Sequence, residues 1–182
     1  LHARAPIEIN IASKPVTFDF SDVVKFSEAR DLIAEADVDV VDICLPTDLH
    51  APYAIQALEA GRHVICEKPM ALNVRDAERM VAAAESANRV LMIAQCLRFW
   101  PEYDFLRDQI KQQTFGKLLS LNMSRIGGMP AWSPDNWFLD PARSGGALLD
   151  LHIHDVDYVN SVLGLPDNIY ATGRCSEDSQ AD

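Results

Sequence analysis

Two groups of residues in this 182-residue chain carry side chains suited to holding an oxygen atom and moving its proton. The first is Lys68, which stands between Glu67 and Pro69 at the end of the short apolar run Val64-Ile65-Cys66. In open parallel sheets ligands sit outside the carboxyl ends of the strands, so this position presents a compact ammonium to a ligand. Such a charge can hold or activate a hydroxyl or carbonyl oxygen. The same residues also read as a surface loop in which Lys68 merely pairs with Glu67, a common and weak arrangement. The second group lies in Ser144-Gly145-Gly146-Ala147-Leu148-Leu149-Asp150-Leu151-His152-Ile153-His154-Asp155-Val156-Asp157. The spacing predicts one helix from this glycine pair to about Leu163, stopped by Gly164. Asp150 and His154 are then one turn apart on a shared face that Tyr158 continues. A carboxylate there can orient the imidazole and raise its basicity, so that His154 accepts a hydroxyl proton near neutral pH. A buried Asp-His hydrogen bond with no chemical role is the alternative. His152 lies about 200° from His154 around such a helix, so the pair cannot chelate one metal, which would need the strand geometry that puts i and i+2 on one face.

The elements that must position these groups alternate. Val38 to Leu45 reads as a strand ending in Pro46-Thr47-Asp48-Leu49-His50. Thr47 or Asp48 is expected to cap the next helix, whose apolar side is Ala51, Ala54, Ile55 and Leu58, with Gly61 as its left-handed stop. After the Lys68 strand, Asn73 caps a helix with Val74, Ala77, Met80, Val81 and Ala84 at helical spacing, and Val90 to Ala94 returns as strand. Strand and helix in alternation predict an α/β fold with a doubly wound parallel sheet. Arg98-Phe99-Trp100-Pro101 marks a break, with a proline-initiated helix over about 102–111 beyond it, so the domains are expected to divide as 1–98 and 99–182. Leu118 to Ile126 alternates as a strand, and residues 130–144, with Trp132, Trp137 and Phe138, form an irregular loop.

Composition narrows the function classes. A net charge of −11 argues against nucleic acid. No apolar run approaches the roughly 18 residues of a membrane helix. Cys44, Cys66, Cys96 and Cys175 show no Cys-x-x-Cys spacing, and the first three sit in apolar strand contexts as small hydrophobes. No metal site is expected, and a reduced, cytoplasmic protein is.

Pro46-Thr47 with His50, the segment Ala57-Leu58-Glu59-Ala60-Gly61-Arg62-His63-Val64, Glu67-Lys68-Pro69, and Gly145-Gly146 with Asp150 and His154 occur in that order. Over about residues 27 to 165 the chain thereby resembles the glucose-fructose oxidoreductase/inositol dehydrogenase (Gfo/Idh/MocA) family. The resemblance implies a Rossmann domain for NAD or NADP, partial here, followed by the start of an α/β C-terminal domain whose open, mostly antiparallel sheet supports homo-oligomer contacts, as a dimer or tetramer. It implies an NAD(P)-dependent dehydrogenase moving a hydride between a secondary hydroxyl carbon of a sugar or polyol and the nicotinamide. His154 matches the family's base, Asp150 the residue that orients it and binds a neighbouring hydroxyl, and Lys68 the catalytic lysine that holds the reacting oxygen. Cys44, Pro46, Thr47, His50, Glu67 and Lys68 would flank the cofactor, and Trp137 would touch its nicotinamide end or the substrate. An arginine often follows that tryptophan in the family, where this chain has Phe138. Arg98 reads as a substrate or loop anchor, or as a surface arginine at the boundary. The family's tight strand-end turn predicts a cis Lys68-Pro69 bond. No Gly-x-Gly-x-x-Gly turn occurs, so at least one βα step is expected before Leu1, and the C-terminal sheet is expected to continue beyond Asp182. A non-catalytic sugar- or nucleotide-sensing member and a glycosidase that uses NAD transiently remain as other readings.

Overall fold

The computed structural model describes residues 8–11, 14–17, 20–128 and 133–173. Cys175, Trp132 and the 176–182 tail lie outside the described residues. The chain forms two compact units, Leu1–Asp39 and Val40–Asp182. In the first, β1 (Glu8–Ile11) and β2 (Lys14–Thr17) pair antiparallel, with Ile9 opposite Val16 and Asn10 opposite Pro15. A helix, α1 (Ala29–Glu35), follows, and Ile33 is its buried residue. None of these three elements was legible as periodicity. Four-residue strands are too short to show alternation, and α1 has a single buried apolar position and no side-chain cap.

The second unit opens with the expected βα alternation. Strands β3 (Val40–Ile43), β4 (His63–Cys66) and β5 (Leu91–Ile93) form a parallel sheet in that order, with Ile43 level with Cys66 and Cys66 level with Ile93. The period of two decides which side chains enter the core: Val41, Ile43, Val64 and Cys66 are buried while Val40 and Asp42 face out. Helix α2 (His50–Glu59) buries Leu58 and the small Ala51, Ala54 and Ala57, which allow close backbone approach, and Gly61 ends the segment at φ 79°. Ile55, expected inside, is only half-buried. No side-chain cap opens α2. A 3₁₀ turn, Thr47–Leu49, feeds it instead, so the capping role expected of Thr47 or Asp48 is corrected.

Asn73 does cap α3 (Val74–Ala87), its Oδ1 accepting from the amide of Asp76 at 2.9 Å. The buried stripe of α3 is Met80 and Ala84. Val74, 73% exposed, and Val81 fall on the neighbouring stripe, so the expected apolar face was too broad. Cys66 behaves as a small hydrophobe whose thiol is pushed up to about 12, chiefly by burial and then by Glu67. Cys44, just past β3, and Cys96, beyond β5, are exposed, against expectation.

The boundary expected at 98/99 falls within a 3₁₀ turn, Cys96–Phe99, inside the second unit. Pro101 then starts α4 (Pro101–Gln112). Residues 118–128 are not a strand, and no antiparallel sheet forms among the described residues after β5. Their alternation is a strand pattern, but a ladder needs a partner, and none of the described strands supplies one. Beyond the loop lie α5 (Pro141–Ser144), α6 (Gly146–Asp150) and α7 (Ile153–Leu163). Among the described residues no helix is long and apolar enough to cross a membrane. Leu58 is fully buried on α2, so Leu58→Ala is expected to cost about 2–5 kcal/mol through lost transfer energy and the cavity left behind. A urea midpoint unchanged from the parent would contradict that placement.

Candidate active site

Parallel pairing brings the ends of β3 and β4 level, and the amide of Glu67 donates to the carbonyl of Ile43 at 3.0 Å. The two turns that follow therefore emerge side by side. His50, 1% exposed, spans them, with Nδ1 2.8 Å from the Pro69 carbonyl oxygen and Nε2 2.8 Å from that of Leu45. Each ring nitrogen thus faces a main-chain carbonyl, so His50, expected beside the cofactor, ties the two strand-end turns together with its nitrogens turned to the chain. The Lys68-Pro69 bond in the second turn is cis, as the motif suggested.

Lys68 reaches across to α6. Its Nζ donates to Oδ1 of Asp150 at 2.9 Å and to the carbonyl oxygen of the same residue at 2.7 Å, with the two side chains 16% and 18% exposed. An ammonium carries three donors, so one N–H remains for a further acceptor. The carbonyl of Asp150 is the one that a continuous helix would give to the amide of His154. Here Lys68 takes it, and the single helix expected to run to Leu163 is divided into α6 and α7 across Leu151 and His152. Upstream, Asp140 caps α5 by accepting from the amide of Ala142 at 2.9 Å. The hydroxyl of buried Ser144 donates toward the carbonyls of Phe138 and Asp140, both at 3.0 Å, and accepts from the amide of Gly146 at 3.0 Å. Gly145 then turns the chain at φ 79°, where an added Cβ would collide with the side chain of Leu149. These contacts set where α6 starts and so where Asp150 ends up.

His154 sits at the start of α7 with Nδ1 buried and without a partner. The expected Asp150-His154 hydrogen bond is not formed, and the Asp150 carboxylate turns Oδ1 to Lys68 instead. The expected rise in basicity is also reversed. Burial, the largest cause, and then the positive charges of Lys68 and Arg125 hold the imidazole below its ordinary value of 6.5, against the smaller opposing pull of Asp150 and Asp155. The outcome still suits a base, since a depressed imidazole is neutral at neutral pH.

The remaining candidates divide. Thr47, buried in the 3₁₀ turn after β3, leaves Oγ1 without a partner, while Glu67 accepts from the amide of Lys68 at 3.2 Å. Cys44 lies exposed, its thiol 3.6 Å from Asp42 Oδ1 and raised by partial burial and by Asp42. Pro46 leads into the 3₁₀ turn that begins at Thr47. Trp137 stacks on Phe138 with ring centroids 3.8 Å apart, so the aromatic that replaces the family's arginine shields one face of the indole. Arg98 donates from Nε to Oδ2 of Asp157 at 2.7 Å, fastening the 3₁₀ turn to α7. Among the described residues no three His, Cys, Asp or Glu side chains come together at metal-binding spacing. No role was read in advance for Arg125, Asp155, Tyr103 or Ser144, because their partners lie far away in sequence or in irregular segments.

Residues 7–95 match the family model described as an oxidoreductase family with an NAD-binding Rossmann fold, and residues 103–182 match the GFO/IDH/MocA C-terminal domain. The chain belongs to the Gfo/Idh/MocA family. Relatives within it include a levoglucosan dehydrogenase of Pseudarthrobacter phenanthrenivorans, 35% identical over 76% of this chain and 36% of its own length. Another is a myo-inositol 2-dehydrogenase of Thermotoga maritima, 31% identical over 85% of this chain and 45% of its own. A solved levoglucosan dehydrogenase in complex with NADH and levoglucosan superposes with a TM-score of 0.65 at 33% identity, covering 76% of this chain and 38% of that one. The chain spans about two-fifths of the length of the curated Gfo/Idh/MocA relatives it matches.

The charges around His154 make its titration a direct report on the site. Lys68→Met removes a nearby positive charge and is expected to raise the His154 midpoint in a histidine NMR titration, whereas Asp150→Asn is expected to lower it. Identical midpoints in parent and both variants would show that the three groups are not coupled.

Proposed function

We propose that the intact protein is an NAD(P)-dependent dehydrogenase that oxidises a secondary hydroxyl of a sugar or polyol, and reduces the matching carbonyl in reverse. One observation carries the reading: Lys68 holds Asp150 with two of its donors and keeps a third, while the imidazole coupled to both is depressed and has its Nδ1 unpartnered. In the oxidative direction neutral His154 takes the proton of the reacting hydroxyl. The free N–H of Lys68 donates to the same oxygen and stabilises the negative charge that develops on it. Asp150 fixes the ammonium and presents Oδ2 to a neighbouring hydroxyl, so the substrate class is one with adjacent hydroxyls. The nicotinamide, when bound, supplies the hydride acceptor. Thr47, with its partnerless hydroxyl in the turn after β3, Pro46, Glu67 and Lys68 would hold it, at the strand ends where dinucleotides bind in such sheets. Levoglucosan and myo-inositol, in the names of the two relatives, are the substrate types that support this reading. A domain division near 98/99 belongs to the proposal, supported by family models that end at residue 95 and resume at 103. So does a self-associating protein of a reducing compartment, supported by the free thiols of Cys44, Cys66 and Cys96 and by Leu119 and Ile126, 90% and 94% exposed.

The test is nicotinamide reduction by the intact protein, with NAD and with NADP, against inositols, aldoses and sugar acids. His154→Ala is expected to lower turnover by about 10²–10⁴-fold. Because the base must be neutral and its folded value is depressed, the acid limb of kcat/KM for oxidation is expected below pH 6.5, with full activity above it. Silence toward every substrate, with cofactor bound, would sink the dehydrogenase and favour a sensor.

A further inference from the structure

The imidazole of His154 makes no side-chain hydrogen bond that would fix it, so something else must hold the first turn of α7 in place. The next residue, Asp155, is 5% exposed, and burying a carboxylate that deeply requires a paired and hydrogen-bonded partner. That partner is Arg125, from the extended 118–128 segment. Its Nε donates to Oδ2 at 3.0 Å and its Nη2 to Oδ1 at 2.8 Å, a two-pronged contact that fixes orientation as well as distance. Nη2 also lies 3.4 Å from the hydroxyl of Tyr103 on α4. The α4 helix is tied to α7 a second time, since Tyr158 donates from its hydroxyl to the carbonyl of Tyr103 at 2.7 Å and the two rings meet edge to face at 4.8 Å. His152 Nδ1, 3.5 Å from Asp155 Oδ2, completes the surround.

We propose that Arg125 is a positioning residue for the reaction, acting through Asp155 to fasten the His154-bearing turn of α7 to the 118–128 segment and to α4. The inference rests on the reading of His154 as the base. Arg125 touches neither the reacting oxygen nor Lys68; it decides where the imidazole points and what charges surround it. Those charges come from every side: Lys68 from the turn after β4, Asp150 from the end of α6, Arg125 from the extended segment, and Asp155, flanked by His152, from α7 itself. Arg125 is among the groups that keep the imidazole neutral, so removing its charge and leaving Asp155 unpaired both push the imidazole toward protonation.

The experiment compares the intact protein with Arg125→Gln, Arg125→Lys and the double variant Arg125→Gln/Asp155→Asn, which keeps a neutral hydrogen-bonded pair. Two readouts are taken: the pH profile of kcat/KM, and the His154 midpoint by histidine NMR, assigned with His154→Asn. Arg125→Gln is expected to lower kcat about tenfold or more with KM little changed, as a misplaced base does, and to move both the acid limb and the NMR midpoint upward. Arg125→Lys, which keeps the charge but loses the fork, is expected to hold the midpoint near the parent value while recovering only part of kcat. The double variant is expected to restore folding and to bring the midpoint back toward the parent, since both charges are gone. Loss of activity in Arg125→Gln with an unmoved midpoint, or full activity with an unmoved midpoint, overturns the proposal. A midpoint that moves as described in a protein that turns over no sugar or polyol would uphold the coupling and refute the dehydrogenase reading instead.

Discussion

A half-buried ammonium must find acceptors, and Lys68 finds two on one residue. Its side chain runs from the turn after β4 to the carboxylate and the carbonyl of Asp150, 82 positions later in the chain. Removing either partner would leave a charge largely out of water with nothing to answer it, so the turn after β4 and the end of α6 are held together by electrostatics as well as by packing. The consequences spread outward. The carbonyl of Asp150 accepts from Lys68 where α6 ends, α7 starts afresh at Ile153, and His154 stands in the first turn of a new helix, with its ring free of hydrogen bonds to the carboxylate one turn before it.

The strand ends answer the same constraint from the other side. The parallel register places Ile43 and Cys66 level, and His50 bonds to a carbonyl beyond each of the two strands, so the turns bearing Thr47 and Lys68 keep a fixed separation. What reads in sequence as a ligand-facing histidine lies between the two turns, with its nitrogens toward their main chain. Around His154 the balance of charges is similarly divided. Lys68 and Arg125 depress the imidazole while Asp150 and Asp155 resist, and each positive group is paired with one of the negative ones. Two ion pairs therefore flank the ring, and burial, the largest cause, acts in the same direction as their positive members.

Much of the architecture was legible from residue order. Short, mostly apolar runs followed by polar turns marked β3 and β4, Asn73 three residues before Asp76 marked the start of α3, and Gly61 and Pro101 marked a stop and a start. These are local signals, set by backbone geometry and by hydrogen bonds within a turn, and a single sequence carries them. The features that escaped are those fixed by distant partners. Residues 118–126 alternate as a strand does, yet a strand is completed only by a neighbour. The apolar face of α3 was read one stripe too wide, because helical spacing does not say which side of Met80 the sheet lies on. The capping role expected of Thr47 or Asp48 failed because a 3₁₀ turn supplied the helix start.

By itself, then, the sequence determined the parallel α/β core and the family, and it singled out Lys68, Asp150 and His154 as candidates, since ordered motifs and strand-end positions are properties of the chain alone. Only the tertiary structure decided how those residues divide the work. Lys68 and not His154 took the Asp150 carboxylate, His50 turned to main-chain carbonyls, and Arg125 entered as the partner of Asp155. The reason is physical: a buried polar atom bonds to whatever acceptor or donor folding brings within about 3 Å, and that distance is not written in sequence spacing.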